Sequence, residues 1–121
     1  MPTEKDLRLS KRISIFLKGN YRVGVSDFPF SVMTIVNISD QGICIATAEK
    51  LEHPSTVELD IHLADNQRVL LFAKAIRSTQ LRDTNLFRTG LKILNTESED
   101  FKKFKAFYED RLHFPPKAEI M

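Results

Sequence analysis

The sequence predicts an all-β domain with one C-terminal helix, and three observations carry that prediction. "TVELDIHL" alternates Val57, Leu59, Ile61 and Leu63 with Glu58, Asp60 and His62, the period-two pattern of a strand with one buried and one wet face. Several other short runs rich in β-branched and aromatic residues precede and follow it, separated by local turn signals. Near the C-terminus the apolar period changes from two to that of a helix.

In chain order, "ISIFLK" is the first expected strand, followed by a hairpin that takes in "KGNYR". "SVMTIVN" and "GICIAT" come next, split by the polar turn "ISDQG", in which Gly42 supplies backbone freedom. "TVELDIHL" turns through "ADNQR" into "VLLFAKAIR", and "LFRTGLKIL" completes about six short antiparallel strands. In "NTESEDFKKFKAFYEDRL", Phe101, Phe104, Tyr108 and Leu112 share one helical face, with Lys102, Lys103, Lys105 and Glu109 outward. Thr96 is the expected N-cap, with Glu99 completing a capping box. Glu97, Glu99 and Asp100 suit the positive end of the helix dipole. Pro115 and Pro116 end the helix. The division is an N-terminal arm over 1–12, a barrel or sandwich with its helix (about 97–112) over 13–112, and a tail over 113–121.

With 121 residues, 42% of them hydrophobic, the chain can bury one core. No run of apolar residues is long enough to cross a membrane, and "MPTEKDLRLSKR" lacks the apolar stretch of a secretory signal. A single Cys44 excludes an internal disulfide and fits a reducing compartment, so the expected location is cytoplasmic. Eighteen basic and sixteen acidic side chains leave a net charge of +2, which suits a small anionic ligand better than a nucleic-acid track.

Enzyme signals are poor. His53, His62 and His113 lie far apart, none at metal-ligand spacing from Cys44, so neither a metal nor a cofactor is implied. Cys44 in "GICIAT" has the setting of a buried small hydrophobe. Ser39 lacks the glycines of a nucleophile elbow, and no phosphate-binding loop or dinucleotide fingerprint is present. A binding module is the expectation.

Two polar stretches stand out. "RLSKR" places Arg8 and Arg12 four apart just before the first strand, and an arginine fork can clasp a phosphate or the O6 and N7 of guanine. "NISDQG" puts Asn37 and Ser39 two apart at a strand end, where a carboxamide and a hydroxyl could face one side and read a base edge. Taken singly, the first is also an ordinary solvated basic tail and the second an ordinary turn.

Together, Arg8-x-x-x-Arg12 and Asn37-x-Ser39-x-x-Gly42 resemble the signature of PilZ domains, bacterial receptors for the second messenger cyclic di-GMP. "ISIFLKGNYRV" resembles that family's first barrel strand and "LLFAKAIRS" the strand ending in an apolar-Arg pair. "FRTGLKILNTESEDFKKFKAFYEDRL" resembles its closing strand, acidic link and C-terminal helix, so the likeness runs from Arg8 to about Leu112. The resemblance implies a six-stranded antiparallel β-barrel with a C-terminal helix. It implies that Arg8 and Arg12 wrap cyclic di-GMP from a mobile arm, Asn37 faces a guanine edge, Ser39 adds a hydroxyl contact and Gly42 keeps the turn tight. Leu7, which stands where a further arginine would favour an intercalated ligand pair, Asp40 and Arg77, at its strand's end, are secondary candidates. The second basic pair, Lys18 and Arg22 in "KGNYR", is set aside. The implied role is a non-enzymatic receptor that orders its arm and regulates an unknown effector protein in trans, in processes such as motility and biofilm formation. Two alternatives are a PilZ-like interaction module for pilus or motility machinery that binds no nucleotide, and a small nucleic-acid-binding barrel. "FPF" at 28–30 and the "HFPPKAEIM" tail are possible docking segments.

Overall fold

The computed structural model describes residues 11–24, 29–63 and 66–113. Arg8 and Leu7, Phe28 of "FPF" and the tail beyond His113 lie outside the described residues. Six antiparallel strands form a closed barrel: β1 (Ile13–Val23), β2 (Ser31–Ile38), β3 (Gly42–Thr47), β4 (Ser55–His62), β5 (Arg68–Gln80) and β6 (Phe87–Ile93). One helix, α1 (Glu99–His113), follows. Around the barrel the order is β1-β2-β3-β6-β5-β4, with β4 returning to β1. The chain therefore makes two three-strand meanders, and the β3–β6 and β4–β1 pairings close them on each other. No helix among the described residues is long and apolar enough to cross a membrane.

Alternation decides the inside. Val57, Leu59 and Ile61 of β4, Val69 and Leu71 of β5, Ile43 and Ile45 of β3 and Ile35 of β2 are all buried in one core. Tyr21 and Met33 join them, and the β5 and β6 residues Ala73, Ala75, Leu91 and Ile93 complete the wall. At Gly19 the strands come closest. A Cβ there would sit 2.6 Å from the carbonyl oxygen of Asp60 and 2.9 Å from Cε of Met33. That contact explains how β1 continues through "GNYRV", which hairpin chemistry alone would have turned. The glycine passes between β2 and β4 where no side chain would fit, and Tyr21 re-enters the core. Arg22, on the other face, pairs with Glu58 at 2.9 Å and lies over the Phe30 ring at 4.3 Å. Phe30 is thus packed locally.

The helix buries Phe101, Phe104 and Tyr108, with Leu112 half-buried beside them, as its periodicity predicted; Phe107, outside the expected stripe, is half-buried as well. Its start differs from expectation. The hydroxyl of Ser98, not Thr96, accepts the Phe101 N–H at 3.0 Å, so α1 begins at Glu99 and the Thr96–Glu99 capping box does not form. The reason lies in β5, which outruns β6. Beyond Ile93, the side chains of Asn95 and Asp100 take over the ladder: Asn95 Oδ1 accepts the Phe72 N–H at 2.9 Å and Asp100 Oδ2 the Leu70 N–H at 2.6 Å. Asn95 is held for that task, and its carbonyl accepts both the N–H and the hydroxyl of Ser98. Residues 96 and 97 are spent on the turn.

Two phenols are held protonated. Burial raises the pKa of Tyr21 above its ordinary value, with the Glu49 charge adding to the effect. Burial does the same for Tyr108, with Asp40 and Glu109 reinforcing it. Groups whose folded pKa exceeds the unfolded one stabilise below the unfolded value and lose that contribution as pH rises through the folded value. The urea midpoint should therefore fall as pH climbs above about 10, the ordinary tyrosine value, and fall less in Tyr108→Phe. A flat or rising midpoint would contradict this. Gly19→Ala should cost about 1–3 kcal/mol by overpacking, measured in the same urea titrations. Gly90→Ala, where an added Cβ meets nothing within 4 Å, should be neutral or gain up to about 1 kcal/mol.

Candidate functional site

The site is built where the root of the N-terminal arm meets the β2–β3 turn. Strand period alone would point Asn37 the same way as Ile35, into the core. One extra residue, Val36, prevents it: Ile35 opposes Ile45, yet Asn37 opposes Cys44, so the register shifts between them. Such a bulge re-aims a side chain. The matching shift in β1, where Ser14 opposes Asn37 and Leu17 opposes Ile35, accommodates the same irregularity. Asn37 consequently stands on the outer face of the barrel.

Arg12 comes to it there. Its Nη1 donates to Asn37 Oδ1 at 2.7 Å. The neighbouring residue fixes the arm root a second time, since the Lys11 carbonyl accepts the Tyr108 hydroxyl at 2.6 Å. Two successive residues thus bond to two different elements, the ledge and the helix.

The turn is tight and its donors are used. Ser39 N–H donates to the Gly42 carbonyl at 2.9 Å, its hydroxyl lies 3.4 Å from the same oxygen, and the Ile93 N–H donates to Gln41 O at 2.9 Å. Ser39 is buried just past the strand end, so it does not share the outward direction of Asn37 by simple alternation. Gly42 is where these groups crowd: a Cβ there would lie 3.0 Å from Ser39 Oγ, 3.4 Å from Leu91 O and 4.0 Å from Arg12 Nη2. The structure therefore brings Arg12, Asn37, Ser39 and Gly42 together. Asp40 lies in the same turn, and its charge helps to raise the pKa of Tyr108. Arg77 does not end its strand, because β5 runs on to Gln80. It stands on the outer wall, opposite Gly90.

Sequence reasoning named Arg77 as a secondary candidate but missed Cys44 and Gly90, which lie between it and this ledge. Across the barrel wall, Asn37 opposes Cys44, Cys44 opposes Gly90, and Gly90 opposes Arg77. Burial pushes the Cys44 thiol above its ordinary pKa, while the charges of Arg88 and then Arg12 act the other way. Cys44 is buried, as expected, but stands apart from the contiguous core cluster, on the strand face that Asn37 shares. The alternation in "FRTGLKI" does put Arg88, Gly90 and Lys92 on one face, but only the β3–β6 pairing carries that face to Asn37. The arrangement can bind: it offers guanidinium donors, a carboxamide and a short turn, with no nucleophile–base pair among them.

A family model for the PilZ domain matches residues 6–110. Among solved structures, the fold is similar to that of the Bacillus subtilis inhibitor of motility (MotI/DgrA), with a TM-score of 0.71 and 15% identity over 88% of this chain and 51% of that one. This chain thus spans about half the length of that protein. It is also similar to the PilZ domain of CeSA from a cellulose-synthesizing bacterium, with a TM-score of 0.54 and 20% identity over 87% of this chain and 96% of that one. No curated protein sequence matches it. The barrel order, the C-terminal helix and the family match agree, and the chain belongs to the PilZ domain family.

Proposed function

We propose that the protein is a cyclic di-GMP receptor that binds through Arg8, Arg12, Asn37, Ser39 and Gly42 and regulates a partner protein in trans. The observation that carries this reading is the 2.7 Å bond between Arg12 and Asn37, which puts the second arginine of the arm on the amide ledge. A guanidinium has five N–H donors and this bond uses one, which leaves the fork able to take a phosphate oxygen or a guanine edge. Asn37 presents both a donor and an acceptor, as discrimination of a guanine edge requires. The ligand supplies the negative charge that lets two arginines close on one place.

Regulation follows from the arm root. Moving Arg12 onto a ligand moves Lys11, and Lys11 is bonded to Tyr108 of α1. A change at the ledge thereby alters the surface that arm and helix present together, and a partner reads that surface. The motility inhibitor among the structures of like fold supports a regulatory role of this kind, with the partner left to be identified.

Titration calorimetry with cyclic di-GMP should show binding that GMP and cyclic di-AMP do not match. Arg8→Ala, Arg12→Ala and Asn37→Ala should each weaken it roughly tenfold to a hundredfold, the loss of a charge-assisted contact of about 1.5–3 kcal/mol. Variants that bind like the parent would overturn the reading. Hydrogen exchange should further show cyclic di-GMP changing protection of α1 in the parent but not in Tyr108→Phe; an equal change in both would remove the helix from the signal path.

A further inference from the structure

Two apolar side chains on the barrel wall contribute little to the fold. Phe16 of β1 is 78% exposed and Val32 of β2 is 79% exposed, while the next large apolar side chain among the described residues, Ile76, reaches only 53%. Ile15 and Leu17, on either side of Phe16, pack against the core, and Met33 beside Val32 is buried in it, so both exposed residues face outward. Phenylalanine and valine suit strands because they pack against cross-strand neighbours, and packing of that kind covers a side chain. At nearly four-fifths exposure these two gain little from it. Scattered apolar residues are ordinary on a surface; what sets this pair apart is its arrangement.

Strand register fixes that arrangement. On the outer face Phe16, Lys18 and Asn20 follow one another along β1, and β2 sets Thr34 opposite Lys18 and Val32 opposite Asn20. Phe16 and Val32 therefore stand at opposite corners of the face, about 13 Å apart along the strands, with Lys18 between them. Lys18 is exposed and joins no ion pair among the described residues. Strands β1, β2 and β3 contain no aspartate or glutamate. The acids that β4 sets against β1, Glu58 and Asp60, are already held by Arg22 and Arg68. The face thus offers two apolar anchors and an unanswered cation in the middle.

That pattern selects its occupant. A bilayer is a poor match, since Lys18 would have to enter it with the anchors on either side. A second copy is also a poor match, because a two-fold contact sets this face against itself and brings no acid to Lys18. An extended peptide gains affinity from main-chain ladder bonds, and here β1 and β2 spend theirs on each other, from Ile13–Ile38 to Tyr21–Ser31. A helix meets side chains alone, and two of its turns rise about 11 Å, close to the spacing of the anchors. We propose that the outer face of β1 and β2 docks an acidic amphipathic helix of the partner protein. Phe16 and Val32 meet apolar residues two turns apart on that helix, and Lys18 pairs with a carboxylate one turn from each. This deepens the reading of the protein as a regulator in trans and rests on it for the partner. Ser14, which opposes Asn37, begins the same outer row, so a helix laid along β1 reaches the arm root where Arg12 meets the ledge.

The test selects helical peptides from a random display library on the parent protein and titrates them into Phe16→Ser, Val32→Ser and Lys18→Glu, each checked for folding by its urea midpoint. The selected peptides should carry two apolar residues about seven or eight apart with Asp or Glu between them. Both serine variants should bind them at least tenfold more weakly, as loss of an anchor predicts. Lys18→Glu should lose as much and recover when the acid of the peptide is replaced by lysine, an exchange that no folding defect imitates. Peptides that carry no acid, or that bind the serine variants as well as the parent, overturn the proposal. So does flotation of the parent with phosphatidylglycerol vesicles that Phe16→Ser abolishes, which assigns the face to a membrane. A concentration-dependent dimer that the same variant dissolves assigns it to a second copy instead. All three variants should keep their cyclic di-GMP affinity within twofold of the parent; a larger loss hands the face to the ligand. Peptide binding without cyclic di-GMP binding overturns the receptor and leaves the docking face standing, and the reverse result removes the face and leaves the receptor.

Discussion

One inserted residue governs the chemistry of this barrel. Val36 interrupts the alternation of β2, so Asn37 points outward to Cys44 instead of inward beside Ile35. An inward carboxamide would have to bury its amide and carbonyl in a core of Ile, Leu and Val, where unpaired polar groups cost several kcal/mol, roughly 2–7 depending on the reference. The bulge removes that conflict and creates an external acceptor in the same step. Arg12 then has a fixed partner, and the arm root acquires a defined position. Without the register shift the arm root would keep its Lys11 bond to the helix but lose its tie to the ledge.

The closing of the barrel makes the ledge firm. Ser39, Gln41 and Gly42 are tied by backbone bonds to each other and to Ile93 of β6, so the turn cannot swing independently of the wall. The helix is equally bound, by Ser98 at its cap and by Asn95 and Asp100 to the exposed ladder of β5. Between these rigid parts the arm root holds one bond to each. Single hydrogen bonds contribute about 1 kcal/mol net, so a ligand that offers Arg12 a phosphate competes easily with Asn37 for it. A rigid frame with one weakly held segment between two contacts is the arrangement a switch needs.

Much of this was legible in the sequence, and the boundary of legibility has physical causes. Strand β3 spans the "GICIAT" run read from composition, because β-branched residues between a turn glycine and a loop leave little freedom. The helix stripe of Phe101, Phe104 and Tyr108 was plain, since one apolar face repeats at helical spacing. The cap was not: Thr96 satisfies the local pattern, but Asn95 is recruited by Phe72, far away in sequence, and that pushes the start to Ser98. The same holds for Gly19, whose place inside β1 depends on the approach of Asp60 and Met33. At the site, residue types and spacing indicated Arg12 and Asn37, whereas the bulge that aims Asn37 and the pairing that brings Arg88 and Gly90 alongside are properties of strand register. Local periods are written in sequence; cross-strand neighbours are written in topology.

That distinction bears on charge as well. A net charge of +2 argued for a compact anion over a polymer, and the argument treated the surface as uniform. Folding sorts the charges. Glu58 and Asp60 of β4 are taken up by Arg22 and Arg68, and Glu99 by Lys102, while β3, β5 and β6 contribute no acid at all. Lys74, Arg77, Arg88 and Lys92 are left without an acid on the wall of β5 and β6, though Lys18, Lys50, Lys103 and Lys105 also stand exposed and outside any ion pair among the described residues. Like charges on neighbouring strands repel, so the arrangement costs stability in the free protein. On the proposed reading, a bound anion would relieve that repulsion in addition to making its own contacts. A cationic face next to an amide ledge thus favours a ligand with charge at two points over one with charge at a single point.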